Sequence, residues 1–94
     1  MPGAARLSDE CTGHGCFPAR PNIEGSKDTF ADDLKAHCFS HKWGSHCCGG
    51  CHASTLCAGS PDVYVNDLPW GRCNDAVCCG GTVATCSRTV YLNS

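Results

Sequence analysis

The sequence predicts a small all-β domain of three repeated strand–turn units with approximate threefold symmetry, stapled by a metal ion. Three observations carry that expectation. The chain repeats internally with an aromatic at the same place in each copy. It holds eleven Cys and five His in 94 residues. Its large apolar residues are few, with three Phe, two Trp and two Tyr.

The repeat is clearest between Gly59-Ser60-Pro61-Asp62-Val63-Tyr64-Val65-Asn66-Asp67 and Cys86-Ser87-Arg88-Thr89-Val90-Tyr91-Leu92-Asn93-Ser94. A weaker copy is Gly25-Ser26-Lys27-Asp28-Thr29-Phe30-Ala31-Asp32-Asp33. Phe30, Tyr64 and Tyr91 are flanked on both sides by smaller residues. That period-two alternation puts the aromatics on one sheet face and their neighbours on the other. Over residues 26–37 an amphipathic helix competes, with Ser26 as its N-cap and Phe30 and Leu34 four apart. Alignment with the two plainer strands favours strand.

A turn element alternates with the strands. Pro69-Trp70-Gly71-Arg72-Cys73-Asn74-Asp75 matches the chain start, Pro2-Gly3-Ala4-Ala5-Arg6-Leu7-Ser8-Asp9. Lys35-Ala36-His37-Cys38-Phe39-Ser40-His41 is the middle copy, with Cys38 in place of the Arg and His41 in place of the Asp. Asp9 and Asp75 are expected to brace turns, and His37 and His41 to have surface or hydrogen-bonded roles.

Residues 1–94 are expected to form a single domain. A core this sparse supplies only roughly 3–5 kcal/mol, so a staple is needed. The cysteine content exceeds the roughly 8–10% that marks secreted disulfide scaffolds. Against that class, the count is odd, and Met1-Pro2-Gly3-Ala4-Ala5-Arg6 lacks the basic start and apolar run of a secretory signal. Cysteines interleaved with histidines favour metal. The net charge of −2 and scattered Lys and Arg give no basic stripe, so nucleic acid is not an expected partner. The stretch without charges, residues 43–61, is mostly Gly, Ser, Cys and His and not an apolar span.

The chemistry concentrates in Cys11-Thr12-Gly13-His14-Gly15-Cys16, in His46-Cys47-Cys48-Gly49-Gly50-Cys51-His52 and in Cys78-Cys79-Gly80-Gly81. Thiolates and imidazoles are the donors of closed structural zinc sites. Three distant segments bound to one ion would tie the whole chain together. Cys48-x-x-Cys51 is a CxxC without a second one at finger spacing, so spacing alone does not choose the ligands. Any single Cys here reads first as a small buried apolar residue. Catalysis has little support: no Cys–His pair stands out, and no Glu or Asp lies beside the cluster.

These motifs resemble the PAAR-repeat family, whose members sit at the tips of contractile-injection spikes. The resemblance rests on residues 4–9, 11–15 and 18–21, on His46-Cys47-Cys48 and Cys51-His52, on Gly59-Ser60-Pro61, on residues 69–75 and on Cys79-Gly80. It implies a conical β-fold with one zinc near the apex, held by His14, His46, His52 and Cys79; iron is the less expected metal. It also implies a base that docks on a trimeric β-helical spike, either the VgrG protein of type VI secretion or a phage tail spike. Phe30, Val63, Tyr64, Val65, Val90, Tyr91 and Leu92 are the expected docking residues.

The implied function is non-enzymatic: capping and sharpening the spike for membrane piercing, with the target membrane a transient partner. A separate effector cargo is a further expected partner, while the length leaves no room for a built-in one. The implied location is a cytoplasmic origin followed by assembly at the spike tip and delivery to the target envelope. Rival expectations are a cysteine-rich secreted binding module held by disulfides and a small zinc-dependent enzyme. The chain departs from the family at Ser8, Ser40 and Asn74, where a turn glycine is usual, and at Asp33 and Asp67. Cys38, Cys57, Cys73 and Cys86 are surplus to the family pattern.

Overall fold

Each copy of the repeat folds into the same minimal hairpin, and the two ends of the chain combine to make the third. The structure, a computed structural model, describes residues 1–92; Asn93 and Ser94 of the third copy lie outside the described residues. Strand β1 (Phe30–Ala31) pairs antiparallel with β2 (Leu34–Lys35). Two further pairs follow, β3 (His46–Cys47) with β4 (Cys51–His52) and β5 (Tyr64–Val65) with β6 (Leu68–Pro69). No helix is present among the described residues, so residues 26–37 take the strand alternative.

The third hairpin is split by the termini. Tyr91 bridges Gly3, and the Leu92 N–H donates to the Pro2 carbonyl at 2.9 Å. The Ala4 N–H then donates to the Val90 carbonyl, as Ala36 does to Thr29 and Trp70 to Val63. Ser26, Ser60 and Ser87 repeat a further device. Each Oγ accepts the N–H three residues on, from Thr29, Val63 and Val90 at 3.2, 3.0 and 2.8 Å. Buried hydroxyls that satisfy nearby backbone donors fix a turn where no helix or ladder can.

The hairpin turns accept residues other than glycine for a physical reason. Asp32-Asp33 and Asn66-Asp67 all have positive φ, between 51° and 67°. That is the two-residue turn whose backbone twist matches paired strands, and Asn and Asp enter it most readily after Gly. Ser8, Ser40 and Asn74 have φ of 72°, 72° and 73°, so all three copies of the second turn share one backbone shape.

A closed ring of backbone hydrogen bonds joins the units. The Ala5 N–H donates to Gly71, the His37 N–H to Ala5, and the Gly71 N–H to His37, at 2.8, 3.1 and 2.9 Å. Gly71 is required there, because an added Cβ would lie 2.5 Å from Leu56 Cδ2 and 2.8 Å from the His37 carbonyl.

Beyond the ring, the Arg6 guanidinium grips Asp9 with both terminal and internal nitrogens, and Arg72 grips Asp75 in the same way. Each Asp also caps its own turn by accepting the Arg backbone N–H. In the middle copy His41 Nδ1 takes over that cap, accepting the Cys38 N–H at 2.9 Å. The vacated Arg position is filled by Cys38, fully buried, with its thiol pushed up to about 12 by burial. His37, expected to have a surface or hydrogen-bonded role, takes the second: it is fully buried, and its Nδ1 is hydrogen-bonded to the Glu24 carbonyl at 2.7 Å.

Two core layers result. The lower holds Ala4, Ala31, Ala36, Cys38, Val65, Trp70 and Leu92. The upper holds Ala5, Cys11, Trp43, Leu56, Val77 and Val83. The molecule is elongated, 38 × 24 × 21 Å. Its backbone ladder runs from the three base hairpins, through the ring, to the loops that follow the upper layer.

Candidate metal centre

Four donors from three loops meet beyond the upper core. His14, His46, His52 and Cys79 each offer one ligand atom, and all four atoms lie within 4.8 Å of one another. They are the four residues that the family resemblance implied. Nothing in the spacing alone selected them.

Each loop has a local reason for its shape. His14 sits on a tight hairpin that it closes with Phe17 through two backbone hydrogen bonds of 3.0 and 2.8 Å. Gly13 (φ 73°) leads into it, and a Cβ there would lie 2.5 Å from the Phe17 carbonyl. His46 and His52 are directly opposed across β3 and β4. Cys79 rides the turn between Val77 and Gly81, closed by the Val77 N–H on the Gly81 carbonyl at 2.8 Å.

The donor chemistry fits a cation. The His14 and His52 Nε2 atoms are 3.1 Å apart, and those of His46 and His52 are 2.6 Å apart. His46 donates its Nδ1 proton to the Pro18 carbonyl at 2.8 Å, because a carbonyl can only accept. Its Nε2 therefore presents a lone pair inward, the arrangement of a metal-bound imidazole with an outer partner. A tetrahedral ion with nitrogen and sulfur ligands needs donor separations of about 3.3–3.6 Å, so these imidazole nitrogens would move apart to accept one. His52 is held below the ordinary imidazole range by desolvation, and then by the facing His46 and His14.

Two supporting residues were not found by sequence reasoning. Phe17 stacks on His14 (4.9 Å) and on His52 (4.2 Å) and tilts against His46 (4.9 Å), making a floor for all three imidazoles. Arg20 is 4% exposed and has no carboxylate partner among the described residues. It donates to Cys11 Sγ at 2.9 Å, to Cys79 Sγ at 3.4 Å and to the Gly44 carbonyl, and it lies over the Trp43 ring at 5.4 Å. A buried cation beside a ligand sulfur is charge-complementary to a metal-bound thiolate. Arg20 lies inside the 18–21 segment that carries the family resemblance and Phe17 just before it, but neither was singled out there.

Metal and disulfides are not alternatives here. Eight cysteines pair, as Cys16–Cys48, Cys47–Cys51, Cys57–Cys78 and Cys73–Cys86. Cys11, Cys38 and Cys79 stay free. Reading each cysteine as a small apolar residue holds for Cys11 and Cys38, both buried, and fails for the eight that pair. Cys48 and Cys51, the CxxC, bond to different partners and supply no ligand.

The expected docking residues divide by face. Phe30, Tyr64 and Tyr91 are 52%, 57% and 51% exposed, one per hairpin. Val65 and Leu92 point the other way into the lower core, and Val63 and Val90 are half-buried against it. The alternation that exposes each aromatic forces its neighbours inward, so the candidate docking surface narrows to the aromatic trio.

No protein-family model matches the chain, and no curated protein matches it.

Proposed function

We propose that this chain is the tip of a contractile injection machine, a PAAR-type cap that seats on a trimeric β-helical spike and sharpens it for membrane piercing. The observation that carries this reading is the threefold frame, namely the ring of Ala5, His37 and Gly71 with one exposed aromatic in each hairpin below it. A single chain with three near-equivalent faces suits a partner with true threefold symmetry, since each face meets one spike subunit.

In this reading the metal is zinc. Three imidazoles and one thiolate suit a closed tetrahedral zinc site, which would stiffen the apex and perform no catalysis. His14, His46, His52 and Cys79 would hold it, with Phe17 and Arg20 positioning them. The spike belongs to a phage tail or to a type VI secretion system. The chain is made in the cytoplasm and acts at the target envelope, and effector cargo would travel as a separate protein.

The test is mixing with a trimeric β-helical spike protein and measuring the mass of the complex in solution. One chain per spike trimer is expected, with the interaction lost in a Phe30→Ser, Tyr64→Ser, Tyr91→Ser variant that keeps its fold. No association between two folded partners overturns the proposal.

One observation favours a second reading, a secreted binding module held by its disulfides: eight of the eleven cysteines are paired. That reading requires no affinity for a trimeric spike and complete unfolding on reduction.

A further inference from the structure

Every metal ligand lies within two residues of a disulfide cysteine. Cys16 is two residues from His14, Cys47 adjoins His46, Cys51 adjoins His52, and Cys78 adjoins Cys79. These cysteines form three of the four disulfides. Cys16–Cys48 ties the His14 loop to the β3–β4 turn, and Cys47–Cys51 crosses that hairpin beside the opposed histidines. Cys57–Cys78 anchors the Cys79 turn to the second unit. The fourth, Cys73–Cys86, lies away from the ligands in sequence and joins the third turn to the third strand.

We propose that the three apical disulfides and the metal centre form one coupled redox unit whose reactive class of co-substrate is a small thiol. Formed disulfides hold the four donors near their bound positions, so the oxidised chain has less ordering entropy to lose on taking up metal. Coupling between two equilibria is reciprocal. Bound metal therefore protects the same three disulfides from reduction. The inference rests on the metal centre of the proposed function and is independent of the spike partner.

Access supports the chemistry. Cys47, Cys51, Cys57, Cys78 and Cys16 are exposed and Cys48 is half-buried, whereas Cys73 and Cys86 are both half-buried. A glutathione thiolate attacks one exposed Sγ, the S–S bond breaks, and the partner cysteine leaves as a thiolate. A second glutathione resolves the mixed disulfide, giving two protein thiols and one oxidised glutathione. Two electrons pass to the protein for each bridge opened.

Three double variants test it: Cys16→Ser with Cys48→Ser, Cys47→Ser with Cys51→Ser, and Cys57→Ser with Cys78→Ser. Cys73→Ser with Cys86→Ser is the control. Serine removes the bridge without leaving competing thiols. Titration with Co2+ in the absence of reductant is expected to show affinity lowered about tenfold or more in the three variants, a usual size for coupled sites. The control should stay within about twofold of the unaltered chain.

A second measurement uses the unaltered chain, so it stands even where a variant does not fold. Thiol release by glutathione should slow with Co2+ bound at the three apical bridges and be unchanged at Cys73–Cys86, as read by alkylation and peptide mass. Equal Co2+ affinity in all four variants, or equal release rates with and without Co2+, overturns the coupling. No Co2+ binding by the unaltered chain overturns the metal centre itself, and the coupling with it.

Discussion

His46 and His52 face each other across a two-residue antiparallel pair, with their Nε2 atoms 2.6 Å apart, while the next pair, Cys47 and Cys51, is joined by a disulfide. Side chains alternate across a strand, so the imidazoles occupy one face and the sulfurs the other. The hairpin is thus a two-faced bracket, with donors inward and a covalent clasp outward. His52→Ala should therefore remove metal binding while leaving the clasp formed. The expected loss exceeds the roughly 10–100-fold typical of outer-shell changes. Co2+ titration and a thiol count on the same sample check both halves.

Arg20 acts on the centre through Cys79. Arg20→Met keeps most of the packing against Trp43 but removes the donors to Cys79 Sγ, Cys11 Sγ and the Gly44 carbonyl. Metal affinity should fall by about 10–100-fold, with the absorption of the Co2+–thiolate bond shifted in energy. A role confined to packing would leave that band unmoved.

His37 gives the fold its own pH dependence. Burial lowers it from its ordinary 6.5 to about 4, against the raising effect of the Glu24 carbonyl. The folded pKa is below the unfolded one, so unfolding takes up a proton between those values. Stability from this group is complete above about pH 6.5, declines as pH falls towards 4, and levels off below. The whole effect is about 3 kcal/mol at 1.36 kcal/mol per unit. Denaturation of metal-free protein at pH 7 and pH 4.5 should show the loss. A His37→Met variant should show it reduced by most of that amount, with the other histidines contributing equally to both proteins.

Gly71 should tolerate no side chain. Gly71→Ala drives a methyl against Leu56 and the His37 carbonyl inside the backbone ring and is expected to cost about 1–3 kcal/mol. Gly50→Ala, with nothing within 4 Å of the added Cβ, should change stability by about 0.5 kcal/mol or less. Urea denaturation of the two variants side by side checks the contrast.

The repeat was legible because its signal is local. An aromatic between two smaller residues, followed by an Asp/Asn turn, makes a hairpin at Phe30 and at Tyr64, while the strand of the third copy pairs with the start of the chain. Even the degenerate middle copy folded to pattern, since His41 Nδ1 accepts the same backbone proton as the Asp carboxylates. The four donors that could hold a metal became legible only through motif resemblance, because they come from loops whose meeting depends on the whole frame. The disulfide pairing was not legible at all. Four bridges among eleven cysteines are set by which loops adjoin in space, and no spacing rule encodes that. Phe17 and Arg20 escaped for the same reason: stacking on three rings and reaching two sulfurs are properties of the assembled loops.

The most direct test of the metal-stapled apex is metal content by native mass spectrometry, on protein purified without an immobilised metal and with its disulfides intact. About one zinc ion per chain is predicted, absent from a His14→Ala, His46→Ala double variant whose melting temperature is also lowered. A folded, metal-free chain that takes up no zinc when it is added would contradict the metal centre and leave the four disulfides as the only staple.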